Sequence, residues 1–389
     1  MKNLYQGDRG ILVSYMQLAL KRAGYPLLVD GIFGTDTCRA LADFLQTDRT
    51  PDRICVVDRS AWEKLLPYLR GYTTEEGENR ILFEDPVTSV EVPYTSLLTA
   101  AVIDGILARY PFLKSGEIGK SVMGKPISYL EIGNGEKEVF YNASFHANES
   151  ITTPVLLKFA EEYAQAYEIG TALYGVPAAE LFEEYRLFLV PLVNPDGVDL
   201  VNGLLTDGGY YRRAQQIASD YPAIPFPSGW KANIEGIDLN LQFPAGWENA
   251  KRIKYAQGYT KPAPRDYVGE APLTAPESEA VYAFTRSHDF RLILAYHTQG
   301  EVIYWKYLDY EPAHSYEIAQ YFGRVSGYTV EETPTQSGYA GYKDWFIQEY
   351  DRPGYTIEAG MGENPLPMSD FAGIYRDNAG ILLGGMTQI

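Results

Sequence analysis

VFYNASFHANESITTPVLLKFAEEYAQAY, residues 139–167, passes from a short apolar run, across HANES, into a longer amphipathic one. The first run, VFYNASF, reads as a buried strand and the second, TPVLLKFAEEYAQAY, as a helix. The same alternation recurs from Tyr94 onward. LLTAAVIDGILARY (97–110) is an amphipathic helix, RLFLVPLV (186–193) a strand, and PESEAVYAFTRSH (276–288) a helix with Pro276 near its start. RLILAY (291–296) and PGYTIEAG (353–360) read as further strands. Strands separated by long helices require crossover connections, so the predicted fold class is α/β: a mixed, largely parallel sheet with helices on both faces. In such sheets ligands bind at the carboxyl ends of strands.

Composition bounds the rest. The chain has 389 residues, 46% of them hydrophobic, with 36 Gly and 24 Pro spread along it, which excludes collagenous, disordered and membrane-spanning classes. Lys and Arg number 33 against 51 Asp and Glu, a net charge of −18, and nucleic acid would be repelled. Metal-binding side chains are few: four His and two Cys. Cys38 and Cys55 lack C-x-x-C spacing and read as two ordinary buried thiols. The start, MKNLYQGDRGILVSYMQ, has no uninterrupted apolar core behind a basic end, and no stretch reaches the roughly 18 apolar residues of a spanning helix. No membrane insertion is expected. A cytoplasmic location follows, with release by lysis or a non-classical route left open.

The first residues form a unit of their own. LVSYMQLALKRAGY sets Leu12, Met16, Leu20 and Ala23 at helical spacing, and a DGIFG turn follows at Asp30 to Gly34. Thr35 or Asp36 would cap a second helix carrying Ala40, Leu41 and Phe44, and Ala61 to Leu69 reads as a third. The expected organisation is a small all-α three-helix domain over 1–72, a linker over 73–90 containing the acidic TTEEGENRILFEDP, and a second domain over 91–389.

Chemistry concentrates at two strand ends. VFYNASF runs directly into His146 and Glu149, and RLILAY into His297. With 51 acids in 389 residues, H-x-x-E alone is weak, but a strand end lets an imidazole and a carboxylate reach one cation. Two His and one carboxylate with an open fourth position make a catalytic zinc site, whereas structural sites are closed and thiolate-rich. Glu358 lies inside the apolar GYTIEAG and reads as a buried general base. His288, at a helix C-terminus, and His314, at a helix start, read as ordinary surface or capping residues. The 32 Tyr and 16 Phe read as core packing rather than a sugar-stacking surface.

Two resemblances follow from these motifs. GDRG, V-x-x-x-Q-x-x-L, GY, DGIFG and T-x-x-A-x-x-x-F occur in the order of the helical peptidoglycan-binding domain of wall hydrolases. RTPDRICVVDRSAW stands where that family has a second DG-x-x-G turn, and a plain helical dimerisation module is the competing reading. From Tyr94 to the end, H-x-x-E, NPDG (194–197), GIDLN (236–240), HTQGEVIYW (297–305) and a Glu in the last strand resemble the zinc carboxypeptidase family. The resemblance implies one zinc per chain held by His146, Glu149 and His297, with Glu358 as general base. It further implies that Asp238 orients His146, and that Arg212, or else Arg213, polarises the scissile carbonyl.

One departure narrows the substrate. Family members follow the aspartate motif with an Asn-Arg pair that grips a free terminal carboxylate; here Asn240 is kept and Leu241 replaces the Arg. Leucine cannot make a bidentate carboxylate contact. The family's mobile tyrosine ahead of an Asp-Trp pair has no clear match near Gln336, Tyr339 or Tyr342. DLNLQFPAGW, beside a wall-binding domain, resembles the branch that cuts the γ-D-glutamyl–meso-diaminopimelate bond of peptidoglycan stem peptides. A muropeptide substrate is thereby implied, with a carboxypeptidase for other peptides, or a non-catalytic wall-binding protein, as alternatives. Oligomeric state is not legible.

Overall fold

The structure is a computed structural model and describes residues 1–46 and 55–389. Eight strands form the central sheet: β1 (Lys114–Lys120), β2 (Pro126–Ile132), β3 (Lys137–Ala143), β4 (Tyr185–Val190), β5 (Leu292–His297), β6 (Val302–Tyr304), β7 (Thr329–Glu331) and β8 (Gly354–Glu358). Their order across the sheet is β7-β6-β8-β5-β3-β4-β2-β1. The central β8-β5-β3-β4 set is wholly parallel, and antiparallel pairings are confined to β1–β2, β2–β4 and β6–β8. Burial on both faces explains why VFYNASF is mostly apolar rather than alternating. Val139, Tyr141 and Ala143 join Leu292, Leu294 and Tyr296 on one face, with the helices Ser96–Arg109, Thr152–Glu168 and Phe371–Thr387. Phe140, Ile293 and Ala295 point the other way, into a core with Phe284 and Phe346 of the helices Pro276–Arg286 and Tyr342–Tyr350. Because β3, β5 and β8 run parallel, the segments after Ala143, His297 and Glu358 emerge at one edge.

The N-terminal helices are Ile11–Arg22, Thr35–Phe44 and Arg59–Arg70. Gly34, not Thr35 or Asp36, occupies the cap position of the second, and Asp58 caps the third by accepting from Ala61 N at 2.9 Å. Gln17 ties the first helix to the DGIFG turn: its Nε2 donates to Asp30 Oδ1 at 2.8 Å and its Oε1 accepts from Gly31 N at 2.8 Å. Gly31 needs to be glycine, with φ of 70° and Ser14 Oγ 2.9 Å from where a Cβ would stand. The unit is not purely helical, since Leu4–Tyr5 pairs antiparallel with Val56–Val57. Part of the stretch in which an altered second turn was expected, residues 49–54, lies outside the described residues.

One expectation is corrected here. Cys38 and Cys55 are joined in a disulfide rather than being separate thiols; a chain separation of 17 hid a pairing that the fold makes with Cα atoms 5.8 Å apart. At the start of the linker stretch, Tyr72–Glu75 and Glu78–Ile81 form an antiparallel hairpin. After it the chain docks: Val87 N and Thr88 N donate to the two oxygens of buried Glu161 at 2.7 and 2.9 Å. Tyr15 Oη bonds Pro93 O and Thr95 Oγ1, and Gly105 admits the Arg70 carbonyl where a Cβ would clash at 2.0 Å. One apolar cluster runs from Leu4 to Met386, so the N-terminal helices are packed onto the sheet domain rather than tethered to it.

Candidate metal centre and cleft

Beyond Ala143 the chain turns sharply, with Ser144 at φ 54°. Thr152 Oγ1 accepts from Ser144 N at 3.1 Å and donates to Glu149 O at 2.8 Å, closing the HANES loop on itself. His146 precedes a single 3-10 turn, Ala147–Glu149, that brings the glutamate back toward it. The NPDG motif supports this loop from below: Asn194 Nδ2 donates to Phe145 O and Ala232 O, and Gly197 fits against Ala147 where a Cβ would come within 2.8 Å. His297 is the last residue of β5 and lies opposite Glu358, the last of β8. The Phe145 ring stacks on the His297 imidazole and fixes its plane.

The three expected ligands converge. Glu149 Oε1 is 2.9 Å from His146 Nδ1, and Glu149 Oε2 is 3.0 Å from His297 Nδ1. One ligand atom from each lies within 4.8 Å of the others, all three residues are buried, and a single cation fits between two imidazole nitrogens and a carboxylate. His146 turns its Nε2 to Asp238 Oδ1 at 3.2 Å, which leaves Nδ1 for the metal. Asp238 is itself held by Asp266 N at 3.1 Å and Asn240 N at 3.3 Å.

Electrostatics bear out the crowding. Burial opposes charge on the Glu149 carboxyl, but His146, Lys231 and hydrogen bonds from both imidazoles hold it well below the usual carboxylate range. Burial likewise opposes charge on His146, yet Glu149 and Asp238 lift it to about 9. The cluster retains positive charge, whether proton or metal ion. Glu358 behaves in the opposite sense: burial, reinforced by Glu149, pushes its carboxyl up against the pull of His297 and Lys231.

The remaining candidates divide. Asn240 lines the cleft and its Oδ1 accepts from Tyr342 N at 3.0 Å. Leu241 lines it too, packed with Trp247 and Val268. Arg212 and Arg213 do not: both stand exposed on the helix Gly208–Ser219, outside the cleft lining, because that helix buries its Ala214 and Ile217 face instead. Among the described residues the lysines and arginine that line the cleft are Lys231, Lys254, Arg265 and Lys343, which sequence reading missed. Lys231 Nζ is 3.3 Å from Glu149 Oε1, and although burial opposes its charge, Glu149 and Asp238 keep it protonated. Its only local signal is its place seven residues ahead of Asp238. Tyr304, in β6, is the tyrosine that reaches the cleft; Tyr342 is buried with its hydroxyl on Thr285 Oγ1. His288 is committed to Phe284 O at 2.9 Å, and His314 stands at the start of the helix Ser315–Ser326.

Comparison with known proteins agrees with this geometry. Residues 99–379 match the family described as zinc carboxypeptidase. The chain is 49% identical over 278 residues to gamma-D-glutamyl-L-diamino acid endopeptidase 1 of Lysinibacillus sphaericus, covering 71% of this chain and 68% of that one. It is 44% identical over 344 residues to the uncharacterized protein YqgT of Bacillus subtilis, covering 84% and 89%. Among solved structures, thrombin-activatable fibrinolysis inhibitor superposes with a TM-score of 0.61 at 16% identity, over 100% of this chain and 98% of that one. Carboxypeptidase A of Helicoverpa armigera gives 0.56 at 19% identity, over 90% and 94%. These two show the fold alone.

Proposed function

The chain belongs to the zinc carboxypeptidase family and is a zinc metallopeptidase; from that premise we propose that it hydrolyses the γ-D-glutamyl–meso-diaminopimelate bond of peptidoglycan stem peptides. The observation that carries this reading is Leu241 on the cleft wall, in place of a guanidinium for a free terminal carboxylate. A diaminopimelate whose near carboxyl continues into D-Ala has no free carboxylate there, and an apolar wall suits it. The relative that acts on γ-D-glutamyl-L-diamino acid bonds supports the same substrate class.

His146, Glu149 and His297 would hold the zinc, which when bound supplies Lewis acidity and a nucleophile at neutral pH. Glu358 takes the proton of the attacking water and returns it to the leaving amine; its raised affinity for protons suits a group that must carry one between steps. Lys231, buried and charged beside Glu149, takes the carbonyl-polarising role expected of Arg212 and stabilises the oxyanion as charge develops. Asp238 keeps His146 in the tautomer that presents Nδ1.

The N-terminal helices would hold the wall polymer, with a groove lined by Tyr25, Leu28, Asp30 and Arg39 as the contact. A net charge of −18 gives no attraction to anionic polymers, so that contact must rest on shape and hydrogen bonds. The Cys38–Cys55 disulfide favours action in oxidising surroundings such as the wall, since such bonds are rare in the cytosol.

Incubation with L-Ala-γ-D-Glu-meso-diaminopimelate and its D-Ala-extended form, read by mass, tests the bond assignment. Release of L-Ala-γ-D-Glu from both is expected; release of D-Ala alone rejects the reading.

A further inference from the structure

The cavity continues past the metal cluster. Beyond Asn240 and Leu241 its lining carries Lys254, Arg265, Asp266, Lys343 and Asp344. Lys254 Nζ is 2.5 Å from Asp266 Oδ1 and Arg265 Nε is 2.7 Å from Asp266 Oδ2. Lys343 Nζ is 2.6 Å from Asp344 Oδ1 and 2.7 Å from Lys306 O. Lys254, Lys343 and Asp344 are only 8%, 3% and 2% exposed.

Buried ion pairs are poor sources of stability, because desolvation consumes most of their attraction. Two such pairs on one cavity wall need another reason. An ammonium has three N–H donors. Among the described residues, Lys343 directs two of them to protein partners and Lys254 directs one, so donors remain for a ligand. Asp344 Oδ2 meets only the Gly341 amide, at 3.3 Å, and can accept more. The group has one more cation than carboxylates, within a chain of net charge −18.

We propose that this end of the cavity recognises a zwitterionic α-amino-acid head, with its carboxylate on Lys343 and Lys254 and its ammonium on Asp344. In the substrate the head is the far, unreacting centre of diaminopimelate. That identification rests on the proposed function, whereas the recognition chemistry belongs to the cavity itself. The site selects diaminopimelate over lysine, which has the same chain and terminal ammonium but no far carboxylate.

Calorimetric titration of the zinc-loaded full chain with meso-diaminopimelate N-acetylated and N-methylamidated at its near centre, the far-centre amide of that compound, and Nα-acetyl-L-lysine N-methylamide tests this directly, since blocking the near centre leaves only the first with a free zwitterionic head. A charge-assisted contact predicts that the first binds about tenfold or more tighter than either of the others. Lys343→Met should bring the three within about twofold, the loss expected once that contact is gone. Should that variant fail to fold, Lys254→Met takes its place, and the ligand comparison on the unaltered chain stands without either. Equal affinities on the unaltered chain overturn the proposal. Selective binding without cleavage of the γ-linked peptide overturns the proposed function and leaves this site standing. Cleavage of diaminopimelate and lysine peptides with equal kcat/KM does the reverse.

Discussion

Around Glu149 the company is two imidazoles and the Lys231 ammonium; around Glu277, equally buried, it is the Asn233 amide and the Val122 N–H. One short segment serves both, since Lys231 faces the first glutamate and Asn233, two residues on, donates to the second at 3.1 Å. The outcomes are opposite. Glu149 is held well below the usual carboxylate range, whereas burial pushes Glu277 up to about 7, with only neutral donors and nearby Asp196 around it. Depth does not decide the charge of a buried carboxyl; its neighbours do. Cationic company makes the first region a place for a metal ion and developing charge. Neutral donors make the second a hydrogen-bonded strut between the helix Pro276–Arg286 and the loop carrying Val122.

The sharpest test of that contrast is Glu149→Gln. Zinc content, measured by elemental analysis, should fall from about one per chain to near zero and hydrolysis to background; retained zinc would break the comparison at its first member. Glu358→Gln should keep zinc yet lower kcat by about 10²–10⁴, the usual range for a lost proton-transfer group. Lys231→Met should lower kcat by about 10²–10³ and Lys231→Arg recover part of it, because the role needs a cation rather than an amine. Unchanged kcat in Lys231→Met would leave the carbonyl without a partner among the wall residues considered. Asp238→Asn should weaken zinc binding by about 10–100-fold, read by competition with a chelator.

The smallest effect belongs to Glu277. Its folded value is about 7 against an ordinary 4.5, so the folded chain holds a proton that the unfolded chain releases. Its contribution is therefore complete below about 4.5 and is lost as pH rises through 7, with a slope of up to about 1.4 kcal/mol per pH unit in between. Glu277→Gln should flatten the denaturation-midpoint profile over that window. An unchanged slope would mean that Glu277 does not titrate there.

The strands that carry the ligands were legible because each is buried on both faces and therefore mostly apolar, as in VFYNASF and RLILAY. The short strands Val302–Tyr304 and, at the sheet edge, Thr329–Glu331 were not, since three residues carry no period. Arg212, or else Arg213, was expected in the site from the family resemblance, yet their helix turns both to solvent. Lys231, Lys254 and Lys343 were missed for the converse reason: lysine reads as a solvated residue until a fold closes over it.

By itself, then, the sequence determined the α/β architecture, the family, the convergence of His146, Glu149 and His297, and the place of Glu358 at the strand end opposite His297. Each is announced by local pattern, an apolar run ending in a functional side chain. The tertiary structure decided which cations line the cleft, how the N-terminal helices join the sheet, the Cys38–Cys55 disulfide and the charged end of the cavity. Those depend on contacts between residues far apart in the chain. Such contacts leave no spacing to read, because burial and charge pairing are set only once the elements pack.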